Sequence, residues 1–322
     1  MTSEQHVAPG VRRILLPLPL ALRNVNVYLV EGDRGWSIVD SGMHTPEAEA
    51  ALRAGLRDLG IALADLRTAF ITHLHPDHLG MAGTLRDAGA ELLMHGPEIA
   101  RAREVWAADH RLIDRTYELF ERHGMPRDVD EGMRAAWAAM NERVDPFEPI
   151  HPVANGEVLD LGGRALTVIW TPGHTDHHAV LFEEARGTLI AGDHVLPRIT
   201  SNVGVYPDGR PDPLGDFLGA LENMKTLGVT RVLPAHGEPF DDCAGRVDEI
   251  VAHHAQRLDA TLEAAAGTPR TAYAICRVLF PMLRSPHEER FALAETLAHL
   301  VYLERRGKAR QSDGRPITWS VV

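Results

Sequence analysis

Three features of this sequence predict a mixed α/β (α+β) fold. Across the first two-thirds, short β-rich runs alternate with helical segments, the pattern of sheets covered by helices. Residues 97–141 interrupt that alternation with a stretch rich in Arg, Glu, Ala and bulky apolar side chains. Past residue 266 the composition shifts again, to two helical stretches followed by two extended pieces around a turn. At 322 residues the chain can bury a substantial core in one large domain or two.

Strands are expected over 26–30, 36–40, 67–72, 91–94, 165–170, 179–182, 189–192 and 231–234, and helices over 46–59, 79–88, 214–227 and 241–266. Pro46 in the opening turn and Gly60 just past the end bound the first of these helices. The 97–141 segment reads as two or three helices and, lying between two groups of candidate ligands, as a lid over them. Thr268-Pro269-Arg270-Thr271 opens a short helix running to Phe280. Leu293, Leu297, Leu300 and Val301 recur at helical spacing in a second helix, and 308–322 reads as a hairpin about Ser312-Asp313-Gly314. Helix, helix and hairpin in that order suggest a small winged-helix-like module.

Composition excludes several classes. The formal net charge of −12 gives no general attraction to nucleic-acid phosphates or anionic membranes. No apolar run approaches the roughly 18 residues of a membrane span. Arg12-Arg13 before Ile14-Leu15-Leu16 loosely imitates a twin-arginine export signal, but Pro17 and Pro19 break the apolar stretch and no small-residue cleavage site follows. An N-terminal strand and a cytoplasmic location are therefore expected. The two cysteines, Cys243 and Cys276, lie far apart and away from any His cluster, as reduced, part-buried thiols would.

The chemistry is concentrated in Thr72-His73-Leu74-His75-Pro76-Asp77-His78-Leu79-Gly80. Three imidazoles and a carboxylate within six positions are costly to bury unless something cationic binds them. His and Asp together are ligands for Zn²⁺ or a similar first-row ion. His73 and His75 share one side of an extended segment while Asp77 and His78 turn off it, so two ligand pairs suit two ions. Three further apolar runs each end in one potential ligand: His174 after Trp170-Thr171-Pro172-Gly173, Asp193 after Leu189-Ile190-Ala191-Gly192, and His236 after Val232-Leu233-Pro234-Ala235. His177, His178 and His194 are expected behind the ligands or in solvent, and His253, His254 and His299 at the surface or in the core.

These motifs, in this order, resemble those of the metallo-β-lactamase-fold hydrolases over about residues 11–245, and the C-terminal piece is similar to the winged-helix extension of one branch. The resemblance implies an αββα sandwich over 1–245, with 97–141 as a helical lid insertion, and a linking helix plus winged-helix-like domain over 246–322. It implies that His73, His75 and His174 hold one ion, that Asp77, His78 and His236 hold the other, and that Asp193 bridges them. Asp40, in Ile38-Val39-Asp40-Ser41-Gly42, matches the family's early Asp, which orients ligands from behind. Two Zn²⁺ per chain are expected, and the same donors accept Mn or Fe.

Two ions about 3.5–4 Å apart share a water, lower its pKa toward about 7, and supply a metal-bound hydroxide for attack on a carbonyl or phosphoryl centre. Asp77 is then catalytic as well as a ligand, since it orients the nucleophile. Arg198 and Tyr206, soon after Asp193, are candidates to line the substrate pocket. An Asp at the bridging position argues against antibiotic hydrolysis as the native role, and Met81 after Gly80 departs from the paired glycines of glyoxalase-II-like enzymes. The function expected is hydrolysis of a small-molecule thioester, ester or lactone, with no nucleic-acid or membrane partner and with a homodimer left open. The alternative is a metal-dependent phosphodiesterase or single-strand endoribonuclease, favoured by Arg305, Arg306, Lys308, Arg310 and Arg315 in the tail.

Overall fold

The computed structural model describes residues 5–20, 22–109 and 111–322. They form two compact units: one of residues 1–103, 140–201 and 220–247, the other of 104–139, 202–219 and 248–322. This grouping cuts the chain differently from a single division at residue 245.

The first unit is built on two sheets. Strands β1 (Gln5–Ala8), β2 (Val11–Pro17), β3 (Asn24–Gly32), β4 (Gly35–Val39), β5 (Leu66–Ile71), β6 (Glu91–His95) and β7 (His151–Val153) form one sheet in sequence order. Strands β8 (Val158–Leu161), β9 (Arg164–Trp170), β10 (Ala179–Glu183), β11 (Thr188–Gly192) and β12 (Arg231–Pro234) form the other, in the order β12-β11-β10-β9-β8. Their inner faces share one apolar core. Tyr28, Val30, Val39 and Phe70 from the first sheet meet Leu166, Val168, Leu181 and Ile190 from the second. Such alternate inward residues are what a half-buried strand supplies.

Helix α1 (Pro46–Asp58) covers the first sheet, with Gly55 closing against Ile14 of β2: a Cβ there would lie 2.8 Å from Ile14 Cγ2. Thr45 caps this helix by accepting from the Ala48 N–H at 3.2 Å. The Arg12-Arg13 segment lies within β2, paired antiparallel with β3.

The helix expected over 79–88 is two pieces, α2 (Pro76–Leu79) and α3 (Ala82–Asp87). The Met81 N–H leaves the helical ladder to donate to Gly42 O at 3.0 Å and Ser41 Oγ at 3.1 Å. Gly80 is forced by space: a Cβ would sit 2.6 Å from both Gly42 O and His44 N.

Helices α4 (Gly96–Val105), α5 (Arg111–Arg122) and α6 (Arg127–Asn141) occupy the 97–141 segment. They are followed later by α7 (Pro213–Met224) and α8 (Cys243–Ala265). The second unit adds β13 (Arg270–Thr271), α9 (Ala272–Leu279), α10 (Pro286–Arg305), β14 (Ala309–Gln311) and β15 (Thr318–Val321). Its three strands pair antiparallel in the order β13-β15-β14, so the expected C-terminal hairpin is present.

Ile113, Tyr117, Phe120 and Met133 of α5 and α6 share one core with Ile275, Leu293, Leu297 and Trp319. The segment expected as a lid therefore supplies interior side chains to the helical unit, because α5 places apolar residues at 113, 117 and 120 on one face. Cys243 and Cys276 are free, buried thiols. No helix among the described residues is long and apolar enough to cross a membrane.

Candidate metal centre

The seven expected ligands converge at the carboxyl ends of the strands of the first unit. His73 and His75 follow β5, His174 follows β9, Asp193 follows β11 and His236 follows β12. Pro76 opens α2, whose single turn swings Asp77 and His78 off the line of β5. Three groups of potential donor atoms each lie within 4.8 Å of one another: His73, His75 and His174; His73, His78 and Asp193; Asp77, His78 and His236.

In the first group, His75 Nδ1 is 3.0 Å from both His73 Nε2 and His174 Nε2. In the third, Asp77 Oδ2 is 3.3 Å from His236 Nε2 and 3.7 Å from His78 Nε2. Asp193 spans the two. Its Oδ2 is 3.3 Å from His174 Nε2, while its Oδ1 is 3.5 Å from His236 Nε2 and 3.7 Å from His78 Nε2.

The 3.3–3.7 Å separations around Asp77 and Asp193 fit donors that share an ion better than direct hydrogen bonds, while the 3.0 Å contacts of His75 are of hydrogen-bond length. Metal–ligand bonds of about 2.0–2.2 Å in a tetrahedron put neighbouring donors roughly 3.3–3.6 Å apart. His78 Nε2, His236 Nε2 and Asp193 Oδ1 are buried polar atoms with no hydrogen-bond partner. A protein core rarely tolerates three such orphans at one spot without something to bind them. The residues present therefore fit a divalent metal.

The far side of each imidazole is fixed. His78 Nδ1 donates to Asp40 Oδ2 at 2.8 Å and His236 Nδ1 donates to Asn24 O at 2.9 Å, which aims both Nε2 atoms inward. Asp40 Oδ1 also accepts from the Thr72 N–H at 2.8 Å. Asp40 thus stands behind the ligands, where its motif had placed it.

Electrostatics divide the cluster into two halves. Burial and the neighbouring imidazoles of His78, His75 and His174 hold His73 well below its ordinary pKa. Burial and His174 do the same for His75, so both keep a free lone pair at neutral pH, as a ligand must. In the other half, burial disfavours charge on His78, but Asp40, Asp77 and Asp193 outweigh it and bring the imidazole up to about 10. Burial is likewise overcome at His236, which Asp193 and Asp77 raise to about 9. Asp77 sits well below the usual carboxylate range: burial would raise it, but His78 and His236 prevail. The carboxylates of this half attract positive charge, which a bound ion would supply in place of the imidazole protons.

Residues outside the ligand motifs also support the centre. Tyr28 Oη donates to Pro234 O at 2.6 Å and Asn26 Nδ2 donates to Pro234 O and Gly237 O, both at 2.8 Å. Strand β3 thereby clamps both sides of His236. His178, expected behind the ligands or in solvent, is fully buried and accepts the Asp193 N–H at Nε2, 3.1 Å away. A Cβ on Gly192 would lie 2.6 Å from that Nε2. His194 is buried with a backbone partner at Ala220, and burial lowers it to about 3. None of these roles has a sequence signal beyond proximity to a motif.

Of the two pocket candidates, Arg198 is exposed on the loop after Asp193. Tyr206 lies in the second unit, where it packs on the helical core and accepts from Arg290 Nη1 at 3.5 Å.

The model of the metallo-beta-lactamase superfamily matches residues 20–236, and that of the metallo-beta-lactamase-like C-terminal domain matches residues 258–319. A probable metallo-hydrolase of Bacillus subtilis, YqjP, is 29% identical over 94% of this chain and 93% of its own. Among solved structures, a metallo-beta-lactamase family protein from Thermus thermophilus superposes with a TM-score of 0.89 at 36% identity, over 98% of this chain and 99% of that one. A beta-lactamase domain protein from Burkholderia ambifaria gives 0.86 at 30% identity, over 99% and 94%.

Proposed function

Because the chain belongs to the metallo-β-lactamase superfamily, we propose that its His and Asp centre holds two divalent ions and hydrolyses a small-molecule thioester, ester or lactone. The observation that carries this reading is Asp193, whose two oxygens face two different groups of ligands. His73, His75 and His174 would hold one ion, Asp77, His78 and His236 the other, with Asp193 contributing to both. Imidazole and carboxylate donors suit zinc, and also manganese or iron.

When bound, the two ions supply Lewis acidity and make water nucleophilic near neutral pH. The protein's side chains do the rest. Asp77, held ionised, accepts a hydrogen bond from the attacking water and orients it. Asp40, Asn24 O and His178 hold the ligands at fixed angles, so little reorganises during reaction. Arg198 is proposed to meet a polar group of the substrate.

A small acyl substrate is favoured over nucleic acid by the charge of −12, which gives no general attraction to phosphates. Two of the tail cations are also engaged: Arg305 and Arg306 both face Asp212, at 3.8 and 3.0 Å, and Arg306 stacks over Tyr302. Metal-analysed protein should be screened against thioesters, lactones, phosphodiesters and short RNAs. Turnover of an acyl substrate, lost on chelation and restored by zinc, is expected. Turnover confined to phosphodiesters or RNA would overturn the acyl reading.

A further inference from the structure

His95 and Trp170 are not among the seven candidate ligands, yet both side chains reach the loop that carries His174. This loop, 171–178, joins β9 to β10. The backbone closes its base: the Thr171 N–H donates to His178 O at 2.8 Å, and the Ala179 N–H donates to Thr72 O at 3.0 Å. Inside the loop the Gly173 N–H donates to Thr175 O at 2.9 Å. The next two carbonyls are taken by side chains. Asp176 O accepts from Trp170 Nε1 at 3.1 Å, and His177 O accepts from His95 Nδ1 at 2.9 Å. A carbonyl only accepts, so His95 carries a proton on Nδ1. The rings of His95, Trp170 and His177 pack on one another, with centroids 6.5, 6.1 and 6.4 Å apart.

We propose that His95 and Trp170 are positioning residues for His174, and that the His95 bond sets where this imidazole stands against His73 and His75. The proposal rests on the metal reading given above. The first group of donors draws on both sheets, since His73 and His75 follow β5 whereas His174 follows β9. His95 ends β6, the strand paired with β5, while the loop it bonds belongs to the second sheet. That bond therefore runs from the sheet of His73 and His75 to the loop of His174. Trp170, the last residue of β9, holds the neighbouring carbonyl from the loop's own sheet. A ligand group has to be held within about 0.5 Å of its working position, and partners outside the ligand set supply that precision. His95 is buried and Trp170 half-buried, which limits competition from water for both bonds. Burial also holds His95 below its ordinary pKa, against the bond to His177 O, so the ring stays neutral with Nδ1 as its one donor.

The test uses full-length protein loaded with zinc or cobalt, with affinity read by competition against a chromophoric chelator and site geometry by cobalt absorption. His95→Phe keeps a ring but removes the donor. It should weaken one of the two ions about 10-fold, leave the other near wild type, and alter the cobalt spectrum. His95→Asn, whose amide can donate from close to the Nδ1 position, should bring affinity back to within about threefold of wild type. Trp170→Phe should weaken the same ion in the same direction, and it carries the test should His95→Phe fail to fold. Wild-type affinities and spectrum in His95→Phe, or in Trp170→Phe if that variant stands in, would overturn the proposal while leaving the metal reading intact, even if the unfolding midpoint falls. Equal weakening of both ions, or a His95→Asn variant as weak as His95→Phe, would overturn it likewise. A wild-type chain that takes up no ion would instead refute the metal reading, and this one with it.

Discussion

Asp40 adopts a left-handed backbone, φ 63°, which Asp tolerates better than most side chains, and from it bonds both Thr72 and His78. Asp40→Asn keeps that backbone tolerance but weakens the hold on His78, so metal affinity should fall about 10–100-fold with little change in melting temperature. Chelator competition checks this; unchanged affinity would remove Asp40 from the centre. Asp193→Ala deletes the one group that faces both halves, so metal and activity should be lost together, and an active, metal-depleted variant would refute the ligand assignment. The seven candidate ligands were legible because imidazole and carboxylate beside short apolar runs form recognisable spacings. The Tyr28 clamp was not, since a Tyr in a strand looks like an ordinary core residue until the fold brings it to the loop.

Strands in the middle of the second sheet were readable because both faces are buried along mainly apolar runs, as in β10 and β11. The edge strands β7 and β8 were not, although the edge strand β12 was. β7 contains Pro152, which a sequence reading takes as a break, and β8 carries Val158 exposed beside buried Leu159 over only four residues. The break between α2 and α3 was also hidden, because it depends on Met81 finding acceptors in the distant Gly42 and Ser41. Gly80 at that break predicts a large local effect. Gly80→Ala would push a methyl against the backbone of Pro76, Gly42 and His44 and should cost about 1–3 kcal/mol or more in denaturant unfolding. A neutral result would mean the loop yields easily. In strand β3, Tyr28→Phe removes the bond to Pro234 O and should cost about 1 kcal/mol, since Asn26 still satisfies that carbonyl.

Taken over its full length, the chain separates a His- and Asp-lined sheet unit from a helical unit with a core of its own. The helical unit carries a second buried histidine pair, His254 and His299, with Nδ1 and Nε2 3.3 Å apart. Burial and the neighbouring charges of His299, His253 and Arg257 lower His254 to about 3. Burial, with Arg257 and His253, lowers His299 to about 4 despite its bond to Glu295 O. Both stay neutral when folded but bind a proton when unfolded below pH 6.5, so stability should fall as pH drops from about 6.5 toward 4. His299→Gln should reduce that slope by about one proton per molecule in denaturant titrations; an unchanged slope would show that the pair does not titrate this way. Elemental analysis of purified wild-type and Asp193→Ala protein decides whether seven side chains hold two ions. About two equivalents of divalent transition metal per chain, falling to one or none in the variant, is the predicted result. A wild-type chain free of such metal, and unable to take it up, would contradict the account.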